Sequence, residues 1–122
     1  METTSHHFLI ELRSVDSSLL NNLSKIESIF LDSLNNSGAT YINHFFHQFS
    51  PQGVSGVVVI AESHLSIHTW PEEGYAALDV FTCGKKEIGD VVVQNLVRSF
   101  DTDDYAITYV MRGVDYKSLM KS

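Results

Sequence analysis

Reactive side chains are concentrated between residues 60 and 84, which read IAESHLSIHTWPEEGYAALDVFTCG. Hydroxyl, imidazole, carboxylate and thiol groups stand here between two apolar runs, and Cys83 is the only cysteine of the chain. A hydroxyl or thiol can act as a nucleophile, and an imidazole or thiol can move a proton at neutral pH. This stretch is therefore where the sequence places its chemistry.

Ser63 and His68 are the first pair to weigh as a nucleophile and a base. No Gly-x-Ser-x-Gly motif surrounds Ser63, which argues against an ordinary serine hydrolase, and a lone serine in a strand is commonly structural. His68 could serve as a general base or simply hydrogen-bond a carbonyl group. In an unbroken strand His64, Ser66 and His68 share one face.

A metal site is a second possibility, because histidines and a cysteine can bind zinc. In a strand His64 and His68 lie about 13 Å apart, too far to share an ion. No second cysteine accompanies Cys83, and the spacing of His44 and His47 does not complete a set, so we expect no metal. Cys83 alone reads as a small buried residue, or as an acid if it faces the pocket of His68.

The elements that must position these residues follow from hydrophobic periodicity and turn residues. Two stretches have helical spacing, one capped near Asp16 and ending before Gly38, the other from Lys85 to Phe100. The remaining apolar runs are predicted strands: His6–Arg13, Ala39–Phe49, Val54–Ala61, His64–Trp70, Tyr75–Cys83 and Tyr105–Met111. Residues 112–122 are predicted to be a polar tail.

This order, β-α-β-β followed by β-β-α-β, predicts an α+β fold in which both helices cover one face of an antiparallel sheet. The 122 residues fit one domain, 1–122, whose halves meet near Ser63. Tyr41, Phe45 and Phe49 alternate along one strand, so we expect them on one face. That face predicts dimerisation through or beside the sheet.

Composition limits the partners. The net charge of -7 and pI of about 5.1 disfavour nucleic acid and anionic membranes as partners and suit a cationic substrate. One cysteine excludes an internal disulfide, and no signal peptide or membrane-length apolar run is present. We expect a cytoplasmic protein.

The string VSGVVVIAESHLSIHTWPEEGYAALDVFTCG closely resembles the prokaryotic S-adenosylmethionine decarboxylases of spermidine synthesis. The resemblance is dense over residues 46–84. It implies a proenzyme that cuts itself between Glu62 and Ser63 into chains 1–62 and 63–122. Ser63 would then become a pyruvoyl group that forms a Schiff base with the substrate, so that no external cofactor is needed. Ser55 and His68 match the family's processing residues, with His68 as the proton acceptor.

The resemblance also assigns roles in decarboxylation. Cys83 matches the proton donor, Phe49 the aromatic that stacks on adenine, and Glu72 the carboxylate that binds the ribose hydroxyls. A dimer of processed protomers, with active sites near the interface, is implied as well.

One departure stands at Ser5–His6, where the family commonly has glycine and a basic residue before the histidine that matches His7. It leaves open a pyruvoyl-dependent decarboxylase of ornithine or arginine with the same fold. A third possibility is an unprocessed regulatory partner, although such a protein would not need Ser63, His68 and Cys83 together.

Overall fold

A computed structural model describes residues 3–114 of the 122-residue chain. It contains six strands, three helices and a 3-10 turn at Pro71–Glu73. In chain order the elements are β1 (Ser5–Leu12), α1 (Ser17–Leu20), α2 (Leu23–Asp32), β2 (Thr40–Gln48), β3 (Val54–Ala61), β4 (Ser63–Trp70), β5 (Tyr75–Cys83), α3 (Lys86–Ser99) and β6 (Tyr105–Arg112). The predicted positions 115–122 of the tail lie outside the described residues. Arg112, expected to begin the tail, is instead the last residue of β6.

The strands form one antiparallel sheet in the order β2-β3-β4-β5-β1-β6. The first strand of the chain, β1, therefore lies between β5 and β6, two strands that belong to the C-terminal half of the chain. The helices pack on one face of this sheet, which confirms the predicted two-layer α+β architecture.

Alternation along the strands separates a buried face from an open face. Phe8, Ile10 and Leu12 of β1 are at most 3% exposed and pack beneath the helices. The alternate residues of β1, β4 and β5 point away from the helices. The open face carries the polar groups discussed below together with the exposed apolar side chains of Leu9, Phe45, Val59 and Val110.

The first helix differs from the prediction because it is broken in two. Asp16 caps α1, as expected, but α1 ends after one turn. Asn22 then accepts a hydrogen bond from the Lys25 backbone N–H and starts α2. An asparagine side chain competes for backbone donors in this way, so it favours a new helix start over an interior position. Helix α2 ends at Asp32 with Ser33 as its C-cap residue, and a series of turns then leads to Gly38.

Strand β2 contains a bulge that overturns another prediction. The register shifts between Tyr41 and Asn43, so Tyr41 pairs with Ile60 whereas Phe45 pairs with Val57. A bulge inserts one extra residue and thereby reverses the alternation of faces. Tyr41 consequently lies on the helix side and does not share a face with Phe45.

Gly56 allows a close approach to β3. The Phe46 ring lies directly over it, and a Cβ atom at Gly56 would be 2.0 Å from a ring carbon. Phe46 in turn packs edge-on against Phe30 of α2, with ring centroids 5.8 Å apart. Because Gly56 has no side chain, Phe46 of the edge strand β2 can lie across it and contact the helix layer.

The last helix agrees with its prediction to within a residue at each end. Its buried side is formed by Val92, Val93, Leu96 and Val97, so packing against β1 and β5 compensates for the low helix propensity of valine. No helix in residues 3–114 has the length and apolar composition needed to cross a membrane.

Candidate active site

Ser63 begins β4 immediately after the tight turn that joins it to β3. Ile60 pairs with Ser63, so the turn consists of Ala61, the last residue of β3, and Glu62. Ser63 has a φ of 121°, a region that residues with a side chain rarely occupy and that costs about 1–3 kcal/mol. The backbone is therefore strained at the residue for which the family resemblance implies attack on the preceding peptide bond.

Cys83 is the nearest reactive neighbour of Ser63. It ends β5, and its Sγ lies 3.4 Å from the Ser63 Oγ. The strand register brings the two residues close together, because Ser63 pairs with Thr82, the residue before Cys83. A thiol and a hydroxyl that were predicted to serve one reaction thus meet in the structure.

Ser55 and His68 form a second pair. They are directly opposite each other on β3 and β4, and the Ser55 Oγ lies 2.8 Å from the His68 Nδ1. A concavity of about 260 Å³ opens beside them on the open face. It is lined by Phe45, His47, Ser55, Gly56, Val57, Ser66 and His68.

The two pairs do not meet within one chain. His68 is five residues from Ser63 along β4, which corresponds to about 16 Å in an extended strand. Proton transfer requires donor and acceptor atoms about 3 Å apart, or one bridging water. Cys83 therefore faces Ser63 and does not share a pocket with His68 of its own chain.

Phe49 and Glu72 lie at the His68 end of the sheet. Phe49 follows β2, is 47% exposed and packs edge-on against His47, with centroids 4.6 Å apart. Glu72 is exposed in the 3-10 turn that follows β4. The predicted substrate-binding residues thus accompany Ser55 and His68, at the end of the sheet opposite to Ser63.

A polar cluster that sequence reasoning missed occupies the centre of the open face. Asp79 of β5 accepts hydrogen bonds from the Nε2 atoms of His7 and His64, at 2.7 and 2.9 Å, and from the Ser66 hydroxyl. Arg112 places a guanidinium nitrogen 3.4 Å from the other ring nitrogen of His7. Only the pairing of β4 and β1 with β5 brings these residues together, so periodicity alone could not reveal the cluster.

Asp79 is ionised in this setting. Partial burial by itself would raise the pKa of Asp79, but hydrogen bonds from Ser66, His7 and His64 outweigh burial and hold the pKa below its ordinary value. The two imidazoles and the carboxylate have ligand atoms within 4.8 Å of one another, a donor set that could bind a divalent cation. However, the Arg112 donor next to Nδ1 of His7 favours the tautomer in which Nε2 carries the proton, which is the wrong one for a metal ligand.

Ser5 and His6, where the sequence departs from the family pattern, lie away from the predicted substrate-binding residues Phe49 and Glu72. Both residues are buried, with 4% and 7% of their surface exposed. Ser5 pairs with Cys83, and His6 contacts the Gly84 carbonyl group and the Tyr109 hydroxyl. These positions support the end of β5.

Comparison with known proteins identifies the family to which the chain is similar. A family model described as S-adenosylmethionine decarboxylase matches residues 6–113. Relatives named S-adenosylmethionine decarboxylase proenzyme include one from Acetivibrio thermocellus, 49% identical over 93% of this chain and 92% of its own, and one from Pyrococcus abyssi, 40% identical over 94% and 83%. The crystal structure of the adenosylmethionine decarboxylase from Aquifex aeolicus superimposes with a TM-score of 0.87 at 31% identity and covers 93% of this chain and 94% of that one.

Proposed function

Since this chain belongs to the S-adenosylmethionine decarboxylase family, we propose that it is the proenzyme of a pyruvoyl-dependent carboxy-lyase that acts on S-adenosylmethionine. The observation that carries the proposal is the contact between Ser63 and Cys83 at the strained start of β4. The family assignment favours this reading over ornithine or arginine as substrate.

Self-cleavage uses the chain's own atoms. The Ser63 Oγ attacks the Glu62 carbonyl carbon and the Ser63 nitrogen leaves, so the peptide bond becomes an ester. A base then removes the Ser63 α-proton, and Glu62 departs as a carboxylate. Tautomerisation and addition of one water release ammonia and leave a ketone at residue 63. Strain at Ser63 favours the first step, because a ground state already raised in energy lies closer to the transition state.

The residues present fit a pyruvoyl group at position 63, which would supply an electron sink for the carbon–carbon cleavage. Cys83 lies within reach of that position and can deliver a proton from its thiol. The half-buried thiol and the tight β3–β4 turn hold donor and acceptor in a fixed relation, which limits protonation at wrong atoms.

Phe49 and Glu72 form the proposed nucleoside subsite. An exposed aromatic ring offers a stacking surface for adenine, and an exposed carboxylate accepts hydrogen bonds from ribose hydroxyls. The sulfonium group is a cation, so the net charge of -7 favours its approach.

We further propose a homodimer, because the chemistry is divided between the two ends of the sheet. A two-fold axis that runs parallel to the sheet and perpendicular to its strands would stack the open faces of the two protomers. It would also bring opposite ends of the two sheets together. Ser63 and Cys83 of one protomer would then face the partner subunit's Ser55 and His68. The exposed apolar side chains of the open face would be buried by the same contact.

This arrangement also explains why His68 is exposed in an isolated chain. A processing base needs access to the Ser63 α-proton, and within one protomer the strand places it about 16 Å away.

A cytoplasmic location is proposed as well, since the single unpaired cysteine suits a reducing compartment.

The test combines cleavage and activity. Freshly folded wild-type protein should yield fragments of 62 and 60 residues on a denaturing gel, and the Ser63→Ala variant should remain one intact, folded and inactive chain. Release of carbon dioxide should be measured from S-adenosylmethionine, ornithine and arginine in parallel. A single full-length band from wild type, or carbon dioxide released only from the amino acids, would contradict the proposal.

A further inference from the structure

We propose that His6 is a positioning residue for Cys83, and that it acts by fixing the turn that follows this cysteine. The inference rests on the proposed function, since it assigns the residue that supports the proton donor. It accounts for the segment Ser5–His6, which the catalytic roles leave unused.

The contacts of His6 join three elements. Its Nε2 lies 3.0 Å from the Gly84 carbonyl oxygen, and its Nδ1 lies 2.6 Å from the Tyr109 hydroxyl oxygen of β6. The imidazole is 7% exposed and stacks on the Tyr109 ring, with an angle of 17° between the planes. Tyr109 also packs against Phe8 and lies beneath the Lys86 ammonium group, so its ring is held from two sides.

The direction of both hydrogen bonds follows from the chemistry of the groups. A carbonyl oxygen can only accept, so Nε2 of His6 carries the proton and donates it to Gly84. Nδ1 is then the acceptor and receives the Tyr109 O–H. A neutral imidazole uses both nitrogens in this way, and rotation of the ring would break both bonds.

Cys83 benefits because it lies at the end of its strand. Beyond Cys83 the β5 pairing stops, and Gly84 turns the chain with a φ of 84° towards α3. A strand end without further support frays. The bond from His6 holds the residue next to Cys83 and so maintains the 3.4 Å separation between Sγ and the Ser63 Oγ.

The experiment compares His6→Leu, which loses both bonds, with His6→Gln, whose side-chain amide can still donate to the Gly84 carbonyl. Cleavage should proceed in both variants. His6→Leu should lower kcat for S-adenosylmethionine by about 10- to 100-fold with little change in KM, because a small misplacement of a reacting group affects the chemical step. His6→Gln should restore most of kcat.

A second readout does not depend on turnover. Cys83 is the only cysteine, so the rate of alkylation by iodoacetamide reports on this thiol alone. Loss of the neutral hydrogen bond that holds the Gly84 carbonyl should by itself raise that rate by about 3- to 10-fold in His6→Leu. His44→Leu is the matched control, because it removes a histidine with contacts to Tyr41 and Glu27 on β2 and α2. It should change neither readout.

The outcomes separate the two proposals. If the wild type releases no carbon dioxide from S-adenosylmethionine, the proposed function fails, and alkylation still tests His6. Wild-type kcat and alkylation in His6→Leu would overturn the inference, and so would a His6→Gln variant as impaired as His6→Leu. If His6→Leu does not fold, Tyr109→Phe decides, since it removes the hydrogen bond to Nδ1 that fixes the orientation of the imidazole and should raise the alkylation rate; an unchanged rate would overturn the inference.

Discussion

Complementation between two inactive variants tests the division of the active site between protomers. His68→Ala keeps the Ser63 nucleophile but lacks the processing base, and Ser63→Ala keeps the base but lacks the nucleophile. Each variant alone should therefore remain uncleaved. In a mixed dimer the His68→Ala chain should be cleaved, because its Ser63 faces the partner subunit's intact His68.

The expected yield follows from random pairing. When equal amounts are co-folded, about half of the His68→Ala chains have a Ser63→Ala partner, and a fourfold excess of the latter raises this share to about four fifths. Within one chain the distance of about 16 Å between positions 63 and 68 exceeds hydrogen-bond reach several-fold. Cleavage should thus be near zero for the separate variants and approach these fractions in the mixture.

The assay is a denaturing gel on co-folded mixtures in which the two variants carry tags of different size. Only the His68→Ala chain should produce fragments, and the cleaved fraction should equal the share of Ser63→Ala in the mixture. A matched control replaces Ser63→Ala with the double variant Ser63→Ala/His68→Ala, which supplies no base and should give no cleavage. Full cleavage of His68→Ala alone, or an uncleaved mixture of folded dimers, would refute the reasoning.

Three further changes have defined outcomes. Cys83→Ala should still cleave but turn over about 100- to 10,000-fold more slowly, as measured by release of carbon dioxide; unchanged turnover would remove the thiol from the reaction. Asp79→Asn, in the uncleavable Ser63→Ala background, should lower the free energy of unfolding at pH 7 by about 1.5–3 kcal/mol in urea titrations. Because the pKa of Asp79 is depressed by folding, this difference should shrink as pH falls below the ordinary value of 3.8; a difference that grows in acid would contradict it. Gly56→Ala should lower the free energy of unfolding by about 1–3 kcal/mol in the same titration, because its Cβ would meet the Phe46 ring. Adding Phe46→Leu should recover part of that loss, whereas no loss in Gly56→Ala would show that the ring moves freely.

Much of the fold follows from sequence because its determinants are local. The apolar and β-branched residues of Tyr75–Cys83 predicted the bounds of β5, and the apolar stripe of the last helix predicted α3 almost to the residue. The same reasoning did not predict two local features. The side chain of Asn22 starts a new helix, and the bulge after Tyr41 reverses the faces of β2; neither leaves a periodic signal.

The candidate site depends on sheet register, which is not local. Sequence could propose Ser63, His68 and Cys83 as members of one reaction, but it could not show that Cys83 reaches Ser63 while His68 does not. The same limit applies to Asp79, whose histidine partners lie 72 and 15 residues away in the chain. Strand order and pairing decide these contacts, and they become visible only in three dimensions.

The place of β1 in the sheet has a consequence for the lifetime of the protein. Cleavage at residue 62 would assign β1 to one polypeptide and both of its neighbours, β5 and β6, to the other. Before the cut, each protomer folds in a unimolecular process that does not depend on concentration. Afterwards, recovery from unfolding becomes a bimolecular search between two fragments, and its yield falls with dilution. Cleaved protein would thus refold less efficiently after denaturation than the uncleaved chain.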